Sequence, residues 1–233
     1  MQNQAQNPVI DGMFKAGAHF AFSKSRRHPS SAPYIFGVKN KVEIFDLEKT
    51  QPLLTKALEF VASLARENKQ VLIVGGKSEA RKAVKASAMS LNMPFVDGRW
   101  IGGTLTNFVE IRKRIEKMER LTTEREKGEL AKYTKKERLL IDREISNLEY
   151  MFSGIASLKE MPKALIVVDP KKEHIAVKEA QDMGIPVVAI AGSDCDLSQV
   201  DYAIVGNDAS QTSITFLMNE IVKAYTAAVV KKA

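Results

Sequence analysis

The chain is poor in the residues that most often carry chemistry. It has a single cysteine, Cys195, among 233 residues, which excludes an internal disulfide and cannot alone build a zinc site. Cys195 therefore reads as a small residue in a loop at a strand end. The three histidines, His19, His28 and His174, include no pair at i, i+4 spacing, and no H-E-x-x-H accompanies them, so no metal set is expected. No apolar run approaches the roughly 20 residues that a membrane span needs. The opening "MQNQAQNPVID" lacks a basic n-region, an apolar h-region and an Arg-rich amphipathic leader. The expectation is a cytoplasmic protein with no membrane partner.

What is present is ordinary in amount and uneven in distribution. Hydrophobic residues make up 45% and charged residues 27%, as in a folded domain with a substantial core. The net charge is +7 and the isoelectric point about 9.3. Residues 1 to 41 hold Lys15, Lys24, Arg26, Arg27, Lys39 and Lys41 against the single acid Asp11, so this segment carries +5 of the +7. From Leu165 onward acids outnumber bases. A basic pole of this kind points to an anionic partner.

Pro8 to Ala16 reads as a short helix closed by Gly17. "AFSKSRRHPSSAP" (21–33) is polar, basic and twice interrupted by proline, so it reads as a loop that orders only on a nucleic-acid partner. "YIFGVKNKVEIFDL" reads as a hairpin turning at Val38-Lys39-Asn40-Lys41. Thr50 then precedes "QPLLTKALEFVASLARENK", a helix with Pro52 in its first turn and Thr50 as its cap. Apolar strands alternate with helices from there on: "VLIVG", "PFVDG", "ALIVVD", "PVVAIAG" and "YAIVG" are strands, and "QTSITFLMNEIVKAYTAAVV" is a closing helix. Such alternation predicts an α/β fold with a parallel sheet flanked by helices.

One block breaks the alternation. Between Thr104 and about Phe152, Leu105, Phe108, Ile111, Ile115, Met118 and Leu121 recur at steps of three and four. Beyond Gly128, Leu140, Ile141, Ile145, Leu148 and Phe152 form a second stripe, and twelve Lys/Arg with eight Asp/Glu fill the remaining faces between 111 and 147. Two narrow apolar seams with charged flanks predict an inserted, protruding antiparallel helical hairpin, coiled-coil-like in character. The expected division is residues 1–103 and 153–233 as the α/β body, with 1–33 as a basic N-terminal helix and loop, and 104–152 as the hairpin.

"VLIVGGKSEA" (71–80) raises the question of a nucleotide site. A phosphate loop, G-x-x-x-x-G-K-[ST], ending at Gly76-Lys77-Ser78 would begin at position 71, which is Val71. The four loop residues would then be Leu72, Ile73, Val74 and Gly75, three of them buried-strand types, so the backbone wrap around the phosphates is missing. G-x-G-x-x-G also fails. A nucleotide-binding α/β enzyme using the 75–78 turn is thus the weaker alternative, and no free nucleotide or other cofactor is expected. Asp169, Asp194, Asp196, Asp201 and Asp208 lie near strand ends but, without a nucleophile or metal signature, read as turn and capping residues. No catalytic constellation remains.

"DGRWIGGTLTNF" (97–108) is the most distinctive stretch. Its two glycines allow a sharp turn between sheet and hairpin, and Thr104 or Thr106 can cap the first long helix. Arg99, Trp100, Asn107, Arg112, Lys113 and Arg114 lie at or near the hairpin base, where cationic groups can engage phosphates. With Lys24, Arg26, Arg27, His28, Lys39, Lys41 and Lys77 they form the candidate RNA-binding set.

"AGAHF", "PYIFGVKNKVEIFDLEKT", "GRWIGGTLTNF", "YTKKERLL", "KALIVVDPKKEHIAVKEA", "GIPVVAI" and "VDYAIVGND" together resemble, in order, the pattern of the bacterial small-subunit ribosomal protein S-two family. The resemblance covers roughly residues 9 to 230. It implies a flavodoxin-like or Rossmann-like sheet with an inserted helical hairpin, and a structural, non-enzymatic component of the cytoplasmic ribosome. The implied partners are small-subunit ribosomal RNA and neighbouring ribosomal proteins, among them the messenger-binding ribosomal protein S-one. The chain departs from the pattern at "AFSKSRRHPSS", where Phe22 stands in place of a histidine and Arg27 in place of a tryptophan. It departs again at Asp97-Gly98, where asparagine-histidine is usual.

Overall fold

The computed structural model describes residues 8–230; the first seven residues of the expected N-terminal segment lie outside it. Helix α1 (Pro8–Lys15) ends where Gly17 takes φ +75°, a left-handed conformation that glycine adopts without penalty. Strands β1 (Ile35–Lys39) and β2 (Val42–Phe45) pair antiparallel. Asn40 and Lys41 turn between them with φ of 53° and 66°, the two positive values of a type I′ hairpin.

Helix α2 (Leu47–Arg66) starts earlier than the sequence suggests. Asp46, not Thr50, is its cap: the Asp46 carboxylate accepts from the N–H groups of Glu48 and Lys49 at 3.1 and 3.4 Å. Thr50 is buried inside the helix and donates its hydroxyl proton to Leu47 O. Leu54, Ala57, Val61 and Leu64 are buried along one face, each fully buried leucine or valine contributing about 1.5–3 kcal/mol.

The main sheet has five parallel strands, β3 (Val71–Val74), β4 (Phe95–Val96), β5 (Ala164–Val168), β6 (Val187–Ala191) and β7 (Tyr202–Val205), in the order β4-β3-β5-β6-β7. Every residue of β3, β5 and β6 is buried, as expected when helices cover both faces. Successive side chains alternate between two cores. Val71, Ile73, Ile166, Val168, Val188 and Ile190 face α2, α3 (Ser78–Leu91) and the closing helix α7 (Gln211–Val230). Leu72, Val74, Leu165, Val167, Val187 and Ala189 face the other side.

That second face is covered by α6 (His174–Asp182) and by the base of a helix pair, α4 (Phe108–Glu126) and α5 (Lys135–Phe152). Ile111, Ile115, Met118 and Leu121 of α4 bury against Ile145, Leu148 and Phe152 of α5. Arg112, near the start of α4, donates to Ala156 O and Leu158 O, just past the end of α5, so the two helices run in opposite directions. Lys117 pairs with Glu144, and Arg125 with Glu149 at 3.4 Å. Residues 131 to 140 are all exposed, Leu139 and Leu140 included, so Leu140 lies outside the buried seam. Thr134 and Glu137 form a reciprocal capping box at the start of α5.

The sheet order places the topological switch at β3, from which the chain first moves out to β4 and then back across to β5. In open α/β sheets the crevice beyond the carboxyl ends of the strands at that point is the natural ligand site. Here it lies beside Gly76, Gly98 and Glu173.

Candidate functional site

The turn after β3 is taken up by the chain's own groups. The Gly76 N–H, which a phosphate loop would offer, donates instead to Glu173 Oε1 at 3.1 Å. A Cβ on Gly76 would come within 2.1 Å of Gly98 O. Burial raises the Glu173 pKa above its ordinary value, although the Gly76 N–H opposes the shift. The chain's own carboxylate thus sits at the N-terminus of α3, where an anion would bind.

Lys77 turns inward rather than outward. Its ammonium donates to Asp169 Oδ2 at 3.0 Å and to Asp208 Oδ2 at 3.2 Å, and its side chain is only 16% exposed. Burial alone would lower the Lys77 pKa, but Asp208 and Asp169 outweigh it and hold it above its ordinary value. Burial, reinforced by the Asp169 charge, pushes Asp208 up to about 6 even with the ammonium beside it. Gly192 makes room for that carboxylate, since a Cβ there would meet Asp208 Oδ1 at 2.4 Å. Asp169 closes the strand end with φ 64°, and its Oδ1 accepts the Lys172 N–H.

Asp169, Cys195 and Asp208 have donor atoms within 4.8 Å of one another, the one grouping among the described residues that could hold a metal ion. The donor set fits a metal poorly. The Lys77 ammonium already occupies one oxygen of each carboxylate, and burial pushes the Cys195 thiol far above its ordinary range. A protonated thiol is not a ligand. Of the remaining aspartates, Asp196 does act as a cap, accepting from Ser198 N at 3.0 Å, and Asp201 Oδ2 accepts from Val187 N. Asp194 instead pairs with Arg26 and Lys171.

The 97–108 stretch wraps a single carboxylate. Glu179, on α6, is 7% exposed. Its oxygens accept from Trp100 Nε1 (3.1 Å), Gly103 N (2.8 Å), Leu105 N (3.0 Å), Thr106 N (3.2 Å) and Thr106 Oγ1 (3.2 Å). Burial would raise the Glu179 pKa, but these donors, Trp100 foremost, hold it below the ordinary carboxylate value. Neither threonine caps α4 with its side chain: Thr104 donates to Ile101 O and Thr106 to Glu179, while Asn107 occupies the cap position. The helix therefore begins at Phe108, four residues later than the expected boundary.

The thirteen candidate RNA-binding residues fall into two groups. Lys77 and Trp100 are turned into the protein, and Trp100 is 5% exposed. Arg27 donates to Glu43 Oε1 at 2.9 Å, Arg112 to backbone carbonyls and Lys113 to Glu110. Arg26 lies over the Phe22 ring at 4.2 Å, 3.4 Å from Asp194. His28 Nδ1 is 2.8 Å from Ser30 Oγ. The second group is exposed, as Arg26 and Lys113 also are, but unpaired: Lys24, Lys39, Lys41, Arg99, Asn107 and Arg114, of which the five cations form no ion pair among the described residues.

The basic loop is also better held than its composition suggests. His28 N donates to Ser193 O at 2.8 Å, Ser31 Oγ to Ser193 O at 2.7 Å, and Phe22 N to Ser193 Oγ at 3.0 Å. The 193–197 segment thus holds residues 22 to 31 by backbone and serine-hydroxyl hydrogen bonds in place of those that a helix or strand would supply. Its cations are thereby presented on a formed surface.

Comparison with known proteins agrees with this geometry. The family model for Ribosomal protein S2 matches residues 13–228. The Small ribosomal subunit protein uS2 of Francisella tularensis subsp. novicida is 42% identical over 216 residues, covering 93% of this chain and 90% of its own length. The proteins of the same name from Chlorobium luteolum and Sulfurimonas denitrificans are each 41% identical, over 91% and 93% of this chain and 84% and 83% of their own lengths. These relatives are ribosomal proteins, not enzymes.

Proposed function

Since the chain belongs to the Ribosomal protein S2 family, we propose that it is a structural component of the small ribosomal subunit that binds the subunit's RNA through its N-terminal basic face. The observation that carries this reading is the set of exposed, unpaired cations Lys24, Lys39 and Lys41. Lys39 and Lys41 belong to the same β1–β2 hairpin as Phe36, which is 77% exposed on β1. Unpaired ammonium groups release counterions on meeting phosphate, and an exposed aromatic ring offers a surface to a base or ribose. The helical pair within 104–152 serves as an arm on the α/β body 1–103 and 153–233. Arg99 and Arg114 at its base extend the cationic surface.

Salt titration with small-subunit RNA is the direct test. Each phosphate neutralised contributes about −0.7 to −0.9 to the slope of log affinity against log salt. Exchanging Lys39 and Lys41 for glutamate is expected to weaken binding and flatten that slope. Binding indifferent to salt and to both lysines would overturn the reading. Docking of the messenger-binding ribosomal protein S-one is a finer partner that rests on the family resemblance, and its co-sedimentation with subunits carrying this chain tests it. The alternative, a nucleotide enzyme at 75–78, has the closed Gly76–Glu173 contact against it. Calorimetry with ATP, GTP and NAD is expected to give no micromolar binding.

A further inference from the structure

Two cavities open side by side at the switch-point crevice. One, of about 340 Å³, reaches from Gly76 and Glu173 to Arg81, Gly98 and Lys172. The other, of about 330 Å³, is lined by Ile101, Gly102, Asn147 and Met151. Arg99, Trp100 and Tyr150 line both. Tyr150, near the end of α5, is therefore their shared wall. It is 68% exposed, and its hydroxyl would lie 3.8 Å from a Cβ placed on Gly98. The ring stands over a position that has no side chain, and the open space lies to either side of it, in the two cavities.

The charges around this ring are arranged for an extended anion rather than a compact one. Arg81, Arg99 and Lys172 face a single carboxylate, Glu173. Arg81 is steadied by a bond from its Nε to Gly76 O at 3.4 Å, while Arg99 and Lys172 form no ion pair among the described residues. The floor is closed by the Gly76–Glu173 hydrogen bond, so a free nucleotide finds no backbone cradle for clustered phosphates. What remains is a rim of separated cations around an aromatic fin. Each cavity is at the lower end of the about 300–1,000 Å³ typical of ligand sites. Spaced cations beside an exposed ring are the general means by which proteins hold single strands.

We propose that an unpaired segment of RNA crosses this edge with consecutive bases seated on either side of Tyr150 and its phosphates held by Arg81, Arg99 and Lys172. This rests on the RNA-binding reading above, but it adds a second contact, built from residues other than the β1–β2 lysines, and a mode of contact that is stacking rather than charge alone.

The only tryptophan, Trp100, lies in the walls of both cavities and supplies the readout. The full-length chain is titrated with an unpaired oligoribonucleotide of about ten residues, a length within the range such surfaces cover, carrying a photoactivatable uridine. Parallel titrations use mononucleotides and an acidic peptide. RNA is expected to change Trp100 emission and to crosslink at Tyr150. Tyr150→Ala is expected to weaken binding by about a hundredfold, the loss of stacking to the two bases that flank the ring, while Tyr150→Phe retains it. Arg99→Ala is expected to reduce the salt slope by about one phosphate contact. If Tyr150→Ala binds as tightly as the parent while the Lys39 and Lys41 exchanges still weaken binding, this inference fails and the RNA reading stands. If RNA does not bind at all, both fail. A response of Trp100 to mononucleotide or peptide but not to RNA also overturns it.

Discussion

The indole N–H of Trp100 donates to Glu179 Oε1 at 3.1 Å, across 79 residues of chain. This bond ties the turn between sheet and hairpin to α6, and three backbone N–H groups with the Thr106 hydroxyl complete the enclosure. Glutamine at 179 would keep one acceptor and present an amide N–H₂ to donors that have nowhere else to turn. Glu179→Gln is therefore expected to destabilise the protein by about 2–4 kcal/mol, read as a lower urea midpoint. The sign with pH is also fixed. The folded pKa lies below the ordinary 4.5, so the stability that Glu179 contributes is present above that value and is lost as pH falls through the folded pKa.

Lys77 bridges two buried carboxylates that pair with no other cation among the described residues. Lys77→Met keeps the volume and removes the charge, leaving Asp169 and Asp208 facing each other in a site where both are nearly enclosed. A loss of about 3–5 kcal/mol is expected. The double variant with Asp208→Asn should recover much of it, because the repulsion then has only one partner. Denaturant unfolding of the four proteins of this cycle gives the coupling directly. Additive losses would mean that the ammonium is not paired as described.

Asp208 carries an opposite pH signature to Glu179. Its folded pKa of about 6 lies above the ordinary 3.8, so between those values the folded state holds more protons than the unfolded one. Stability from this group is full below about pH 3.8 and is lost as pH rises through about 6, on the order of 2–3 kcal/mol in all. Asp208→Asn should remove this slope while leaving the acid-side loss from Glu179 in place. Unfolding free energies measured at half-unit steps from about pH 2.5 to 7 separate the two.

Much of the fold was legible because its signals are local. Runs such as Val71–Val74 and Val187–Ala191 are buried on both faces, and a continuous apolar run is the direct imprint of that burial. The hairpin seam at Ile111, Ile115, Met118 and Leu121 shows helical spacing for the same reason. The start of α2 was misplaced because Thr50 and Asp46 are both good caps, and only the packing of Leu47 into the core chooses between them. The site was less legible. Lys77 meets partners 92 and 131 residues away, and no spacing rule links them. Glu179 did leave a trace, since it falls beside Ala176 and Ala180 on the buried side of α6. An acid at a buried helical position needs donors, and the stretch of the chain richest in glycine and threonine was the place to look for them.

Arg27 and its neighbours separate folding from binding. Arg27 is the hydrogen-bond partner of Glu43, which is 1% exposed and whose other oxygen has no partner. Arg27→Ala would leave that carboxylate buried and uncompensated, at a cost of about 3 kcal/mol. Weaker RNA binding by this variant would then follow from loss of the folded loop, and circular dichroism melts would show it. Arg27→Lys is expected to restore part of the stability.

Lys41 offers the reverse combination. It is exposed, forms no ion pair among the described residues, and holds φ at 66° in the hairpin turn after Asn40. A side chain in that region costs about 1–2 kcal/mol, and Asn-Gly is the pair that the turn favours. Lys41→Gly should therefore raise stability by about 0.5–1 kcal/mol after the added chain entropy of glycine is counted. The same change removes a cation from the surface proposed to meet RNA, and should lower affinity at low salt while flattening the salt slope by about one contact. Stability and affinity moving in opposite directions would place Lys41 in the interface. Affinity unchanged in the stabilised variant would remove it from that surface and leave Lys24 and Lys39 to carry the contact.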